Sequence, residues 1–263
     1  MDIILKLKEE LQVEKWQVEA AVSLIDEGNT IPFIARYRKE MTGSLNDEVL
    51  RDLHERLTYL RNLEEKKTQV LGSIEEQGKL TDELRERIEA AQTMVVVEDL
   101  YRPYRQKRKT RAGVAKEKGL EPLAEFILAQ ETTAPIEEEA AKYIHEDEDA
   151  AKAVKSAEEA LQGAKDIIAE RISDEADYRI YIRDVTMKEG KLVTAARDEK
   201  AESVYEMYYQ YEEPLGKVAG HRVLAINRGE NEKFLTVRIE APEERILQFL
   251  RTKTIINDNH VTS

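Results

Sequence analysis

The chain has 263 residues, a net charge of −13, 36% charged and 41% apolar residues, and no cysteine. Disulfides, thiolate metal sites and thiol nucleophiles are therefore excluded. No apolar run approaches the roughly 20 residues that span a bilayer. The start, Met1-Asp2-Ile3-Ile4-Leu5-Lys6, lacks the basic front, apolar middle and small-residue cleavage site of a signal peptide. The expected setting is the cytoplasm, with no membrane partner. Only 11 Gly and 6 Pro punctuate the sequence, too few for a many-stranded barrel or sandwich. The fold class expected is mainly α, an elongated array of helices.

In chain order, Ile4, Leu7 and Leu11 recur at helical spacing, and a second helix is predicted over 15–27. Its buried stripe would hold Trp16, Ala20, Ala21, Leu24 and Ile25, with Gly28 turning left-handed behind it. Pro32 suits the first turn of a third helix over 31–41, where its missing N–H is not needed. Three short helices in 43 residues resemble a helix-turn-helix bundle. Arg36, Arg38 and Lys39 form a small basic surface there. A long helix then runs from about 46 to Gly78, with Leu50, Leu53, Leu57, Leu60, Val70, Leu71 and Ile74 as its apolar stripe.

Thr81-Asp82 caps a helix to Ala91, followed by the apolar run 94–97. Short helices are expected over 120–130 and 136–145. Residues 146–149 (Glu-Asp-Glu-Asp) would open the next helix, where acid complements the macrodipole. That helix would carry Ala150, Ala153, Val154, Ala157, Leu161, Ala164 and Ile168. Further helices are predicted over 174–187 and 200–211, the second rich in tyrosine. Residues 223–226 read equally as helix or strand, ended by Gly229. Residues 234–239 alternate as a lone half-buried strand, a minor β element near 232–240, and a helix runs from Pro242 to Phe249. Three regions follow: 1–78, a bundle with its spine helix; 79–213, a helical domain; and 214–263, a helix and strand transition.

Catalytic and cofactor signatures are absent from the sequence. Residues 216–222 (Gly-Lys-Val-Ala-Gly-His-Arg) lack the Gly-Lys-Ser/Thr ending of a phosphate loop. His54, His145, His221 and His260 stand apart, without metal-ligand spacing. We expect no enzyme activity, no metal and no cofactor.

Residues 101–111 are the strongest local signal. Arg102, Arg105, Lys107, Arg108, Lys109 and Arg111 place six cations, and no acid, beside Tyr101 and Tyr104. Cations neutralise phosphates and tyrosine rings stack on unpaired bases. The same segment equally suits a connector held by acidic helices of its own chain.

Four stretches together resemble the bacterial Tex family of transcription accessory proteins. They are 30–43 (beginning Thr30-Ile31-Pro32-Phe33), 99–124 (beginning Asp99-Leu100-Tyr101-Arg102-Pro103-Tyr104), 160–171, and 221–230 with Asn227-Arg228-Gly229-Glu230. The resemblance implies a helical N-terminal region of a longer protein that continues into a YqgF-type domain, helix-hairpin-helix units and an OB-fold. It also implies links to transcription and to nucleic acid, RNA or DNA, mainly through those later domains. The expected function is a helical scaffold supporting nucleic-acid binding and contacts with the transcription machinery. The alternative is a module that docks on RNA polymerase or another factor without touching nucleic acid. On this reading the sheet partners of the strand near Phe234 lie beyond Ser263.

Overall fold

The computed structural model describes residues 2–147, 149 and 152–257. His260 and Ala150 lie outside the described residues. The protein is mainly α with one small sheet, and it divides into two compact units between Tyr104 and Arg105.

The first unit is organised by a 30-residue helix. Helix α1 (Ile3–Leu11) starts on the Asp2 side chain, which accepts from the Leu5 N–H at 3.1 Å. In α2 (Lys15–Asp26), Glu14 and Gln17 close a reciprocal capping box. Helix α3 (Ile31–Tyr37) has Pro32 in its first turn and stops four residues short of the expected end. It stops because residues 38–44 fold into a turn, where the Thr42 and Ser44 N–H groups donate to Arg38 O and Lys39 O. Helix α4 (Asp47–Glu76) begins on Asn46, whose side chain accepts from Val49 N–H, with Asp47 and Glu48 complementing the dipole.

The α4 stripe buries Leu50, Leu53, Leu57, Leu60, Leu63, Val70 and Ile74, and Gly78 ends it at φ +67°. Helices α1, α2 and α3 pack on α4, where Leu7, Val18, Ala21, Leu24 and Ile34 complete the core. Helices α5 (Asp82–Ala90) and α6 (Met94–Tyr101) also pack on α4, burying Ile88, Val97 and Leu100. Lys67 is buried on α4. Its ammonium donates to Glu64 at 2.9 Å and to the Glu89 carbonyl at 2.8 Å, occupying an end carbonyl of α5. Two bidentate pairs tie short helices to the spine: Arg56 to Glu10, at 2.5 and 2.8 Å, and Arg61 to Asp26, at 2.7 and 2.8 Å.

The stripe proposed for α2 is out of phase at its start. Val18, Ala21, Val22 and Leu24 are buried, whereas Trp16 is 52% exposed. At 100° per residue Trp16 lies about 200° around the helix from Val18, which sets the buried face.

In the second unit, α7 (Arg111–Glu117), α8 (Glu121–Ala129) and α9 (Ile136–Ala140) surround α10 (Ala157–Asp174). Their core is built from small residues, Ala112, Ala115, Ala140, Ala160 and Ala164, with Leu120, Leu123 and Val154. A Cβ on Gly163 would sit 2.4 Å from Leu120 Cδ1, so glycine sets this approach. The expected helix over 136–145 ends early, at Ala140, followed by a single 3-10 turn. The acidic run does not open a helix either: α10 starts at Ala157, capped by Ser156, and His145 pairs with Val154 in a β-bridge. Glu148 lies outside the described residues.

Helix α11 (Ala176–Glu189) leads into the sheet. Strands β1 (Lys191–Ala196), β2 (Gln210–Pro214) and β3 (Leu235–Glu240) form an antiparallel sheet in the order β2-β1-β3. The strand near Phe234 therefore has its partner within the chain: Val237 faces Thr194 and Ile239 faces Leu192. The helix expected over 200–211 is instead a loop, one 3-10 turn and β2. Tyr205 and Tyr208 are buried beneath the sheet with Leu192, Ile226 and Leu235. Residues 223–226 are helical, within α12 (Gly220–Asn231). Gly229 does not end that helix; it lies inside, where a Cβ would meet Leu235 Cδ1 at 2.7 Å. Helix α13 (Glu243–Thr254) closes the unit. The buried Gln130 side chain clips the residues at its end, donating to Thr254 O at 2.7 Å and accepting from the Ile256 and Asn257 N–H groups.

Candidate nucleic-acid interface

The eight residues proposed from 101–111 fall in both units, and each unit treats its share differently. In the first, Tyr101 ends α6 with its hydroxyl 3.0 Å from Ser73 Oγ and the Lys66 ammonium 5.9 Å from its ring centroid. The ring is thus half-buried among α4 side chains. Tyr104 is also half-buried, and its carbonyl accepts from Gln77. Arg102 is exposed. Of the two tyrosines, Tyr101 is thus held by side-chain contacts to α4 and Tyr104 by its backbone carbonyl.

In the second unit the cations divide sharply. Lys107 reaches α10 and forms ion pairs with Asp174 and with Glu170, the latter at 3.3 Å; its side chain is 27% exposed. Both acids lie near the C-terminal end of α10, so Lys107 also complements that helix's dipole. Arg111 opens α7 with its side chain 87% exposed, 3.8 Å from Asp166, a loose pairing in water. Arg105, Arg108 and Lys109 are exposed, and among the described residues none has an acid at ion-pair distance.

The segment is thus divided between one cation held by the chain's own acids and three left in water. Lys107 anchors the connector to an acidic helix, and its neighbours Arg105, Arg108 and Lys109 face water. A cleft of about 360 Å³ lies alongside, lined by Val114, Ala115, Leu120 and Gly163 together with Lys109 and Arg111. Lys118, on the same cleft, is held by Glu159 at 2.5 Å, and this bond keeps the Glu159 carboxyl below the usual carboxylate range.

The basic surface at 36–39 lies in the first unit. Arg36, Arg38 and Lys39 are all exposed, and among the described residues none is within ion-pair distance of a carboxylate. The Arg38 guanidinium lies 5.0 Å from the Phe33 ring centroid and donates to Tyr37 O at 3.2 Å. No group of three or more His, Asp or Glu side chains among the described residues is arranged to hold a metal.

Residues 1–75 match the Tex-like protein N-terminal domain, and residues 131–260 match the Tex central region-like family. The chain belongs to the Tex family. It is 48% identical over 255 residues to the uncharacterized protein YdcI of Bacillus subtilis, covering 96% of this chain and 35% of that protein. It is 43% identical over 243 residues to the transcriptional accessory protein Tex of Neisseria gonorrhoeae, covering 91% and 31%. A human S1 RNA-binding domain-containing protein 1 is 29% identical over 247 residues, covering 90% and 24%. The chain thus spans about a third or less of the length of the curated relatives it matches. In this Tex chain the segment between the two matched regions, 76–130, contains all eight basic-segment residues.

Proposed function

We propose that this region is a non-catalytic helical scaffold of a transcription accessory protein that contacts nucleic-acid phosphates through residues 105–111. The observation that carries this reading is the exposed, acid-free trio Arg105, Arg108 and Lys109, beside a Lys107 anchored on α10, in a chain of net charge −13. Fixing one cation in an ion pair lowers the entropy of presenting its neighbours to a phosphate backbone. The names of the relatives, one a transcriptional accessory protein and one carrying an S1 RNA-binding domain, support the same direction. RNA and DNA are both served by such a surface, because phosphate contacts carry no sequence information.

Gel shifts of the chain on single- and double-stranded probes, repeated across salt, test this. Replacing Arg105, Arg108 and Lys109 together with Ala should weaken binding and reduce the slope of log K against log salt by roughly two to three. Unchanged affinity and slope would assign the trio to solvation alone.

The second reading is docking on RNA polymerase or another transcription factor. Tyr205 and Tyr208 are buried and Tyr209 and Tyr211 half-buried, but Val204 and Met207 stand 85% and 73% exposed in the same segment and favour a protein contact there. Partners retained by the chain after nuclease treatment, and lost on Val204→Asp, would support it.

A further inference from the structure

The turn over 38–44 in the first unit holds a second arrangement of aromatic and cationic side chains. Gln17, on α2, donates through Nε2 to the Thr42 and Gly43 carbonyls at 3.1 and 3.2 Å, and Thr42 is fully buried. The neighbouring Trp16 lies over Gly43. A Cβ there would be 2.4 Å from Trp16 Cη2, and Gly43 has φ +60°, so glycine is required for both space and backbone. The backbone of the turn is therefore fastened to α2 beside the Trp16 ring.

What this fastening presents is unusual for a monomer surface. Trp16, Tyr37 and Met41 are 52%, 60% and 52% exposed, although they are among the most costly side chains to leave in water. Tyr37 packs on Phe33 with ring centroids 5.3 Å apart, the Arg38 guanidinium covers Phe33, and the Arg36 guanidinium lies 6.0 Å from the Tyr37 ring centroid, so cation and ring already sit together at this surface. Arg36, Arg38 and Lys39 supply three cations, and the nearby acid Glu40 forms no ion pair with them. Flat rings beside unpaired cations match the two halves of a single-stranded nucleotide, its base face and its phosphate. A duplex hides its base faces, so it could use only the cations.

We infer that this surface binds single-stranded nucleic acid, with bases stacking on Tyr37 and Trp16 and phosphates meeting Arg36, Arg38 and Lys39. The inference extends the nucleic-acid reading to the first unit and uses none of the residues of 105–111.

Trp16 is the chain's one tryptophan, so its emission reports on this surface directly. The chain is titrated with a thymidine-only single strand and with a duplex of equal length. The single strand should quench Trp16 emission at saturation, and the duplex should leave it nearly unchanged. Tyr37→Ala, at an exposed position, should weaken the single-strand titration roughly tenfold. Arg36→Ala with Lys39→Ala should weaken it and flatten its salt dependence. The Ala trio at 105, 108 and 109 should keep the full quench amplitude. If gel shifts persist while Trp16 emission does not respond, the inference is overturned and the 105–111 reading stands. Equal quenching by duplex, or no loss of affinity in Tyr37→Ala, also overturns it. Loss of the duplex gel shift in the trio, with quenching of Trp16 by the single strand intact, supports this surface independently.

Discussion

The two units build helical cores from opposite materials. Helix α4 carries five buried leucines in its first 17 residues, and short helices settle against that broad apolar stripe. Helix α10 instead presents Ala160, Gly163 and Ala164, letting α7 and α8 come close enough for Ala112, Ala115 and Leu120 to fill the gap. Interaxial distance follows the side chains at the contact. The leucine core should suffer most from losing volume, the alanine and glycine core from gaining it. The difference also bears on the proposed phosphate contact, because the anchored Lys107 reaches α10 and depends on that helix keeping its position.

The largest effect expected is at Leu60, fully buried on α4. Leu60→Ala should cost about 2–5 kcal/mol through lost transfer energy and the cavity left behind. Urea denaturation should show a lower midpoint; a cost under about 1 kcal/mol would mean the stripe collapses easily and the contrast is false. Next comes Gly163→Ala, expected to cost about 1–3 kcal/mol, because its new Cβ meets a Leu120 that is only 1% exposed. A double-mutant cycle with Leu120→Ala sharpens this: the glycine substitution should become much cheaper once the leucine is shortened. Additive costs would show that Gly163 is constrained by something else.

Lys107→Ala should cost less, about 1–2 kcal/mol, since the pair it breaks is only partly buried. Arg105→Ala and Arg108→Ala should stay within about 0.5 kcal/mol, as for exposed sites in general. Thermal melts of the three variants separate anchor from exposed cation. Equal shifts would erase the distinction drawn within the segment.

The spine was legible because its leucines recur every three or four residues over a length no strand reaches, and Gly78 marks its end. The sheet was not. Its pairing joins residues far apart in sequence, as Leu192 with Ile239, and nothing local announces it. Strand β2 was masked by Tyr205, Tyr208 and Tyr209 just before it, whose spacing imitates a helix although they fold as a loop and 3-10 turn over a sheet. The candidate interface was half legible. Composition showed six cations at 101–111, but Lys107's commitment depends on Glu170 and Asp174, more than sixty residues away. Trp16 was misread because a large apolar side chain near a helix start suggests a core stripe, when the phase set by Val18, Ala21 and Val22 excludes it.

A further small effect concerns the charges that fasten short helices to α4. Hydrogen bonds from Arg56 hold the Glu10 carboxyl below the usual carboxylate range, and those from Arg61 do the same for Asp26. Both pKa values are depressed on folding, so the contribution is fully present above the unfolded carboxylate pKa. It is lost as pH falls through the lower folded values. Stability should therefore be flat from neutral pH to about pH 5 and decline below about pH 4. Glu10 and Asp26 are 30% and 47% exposed, so solvent screening limits each pair to about 0–1 kcal/mol. Glu10→Gln should remove part of the acid decline while leaving the Leu60→Ala cost unchanged. If the acid decline is the same without Glu10 and Asp26, these staples contribute nothing and the leucines alone hold the first unit together.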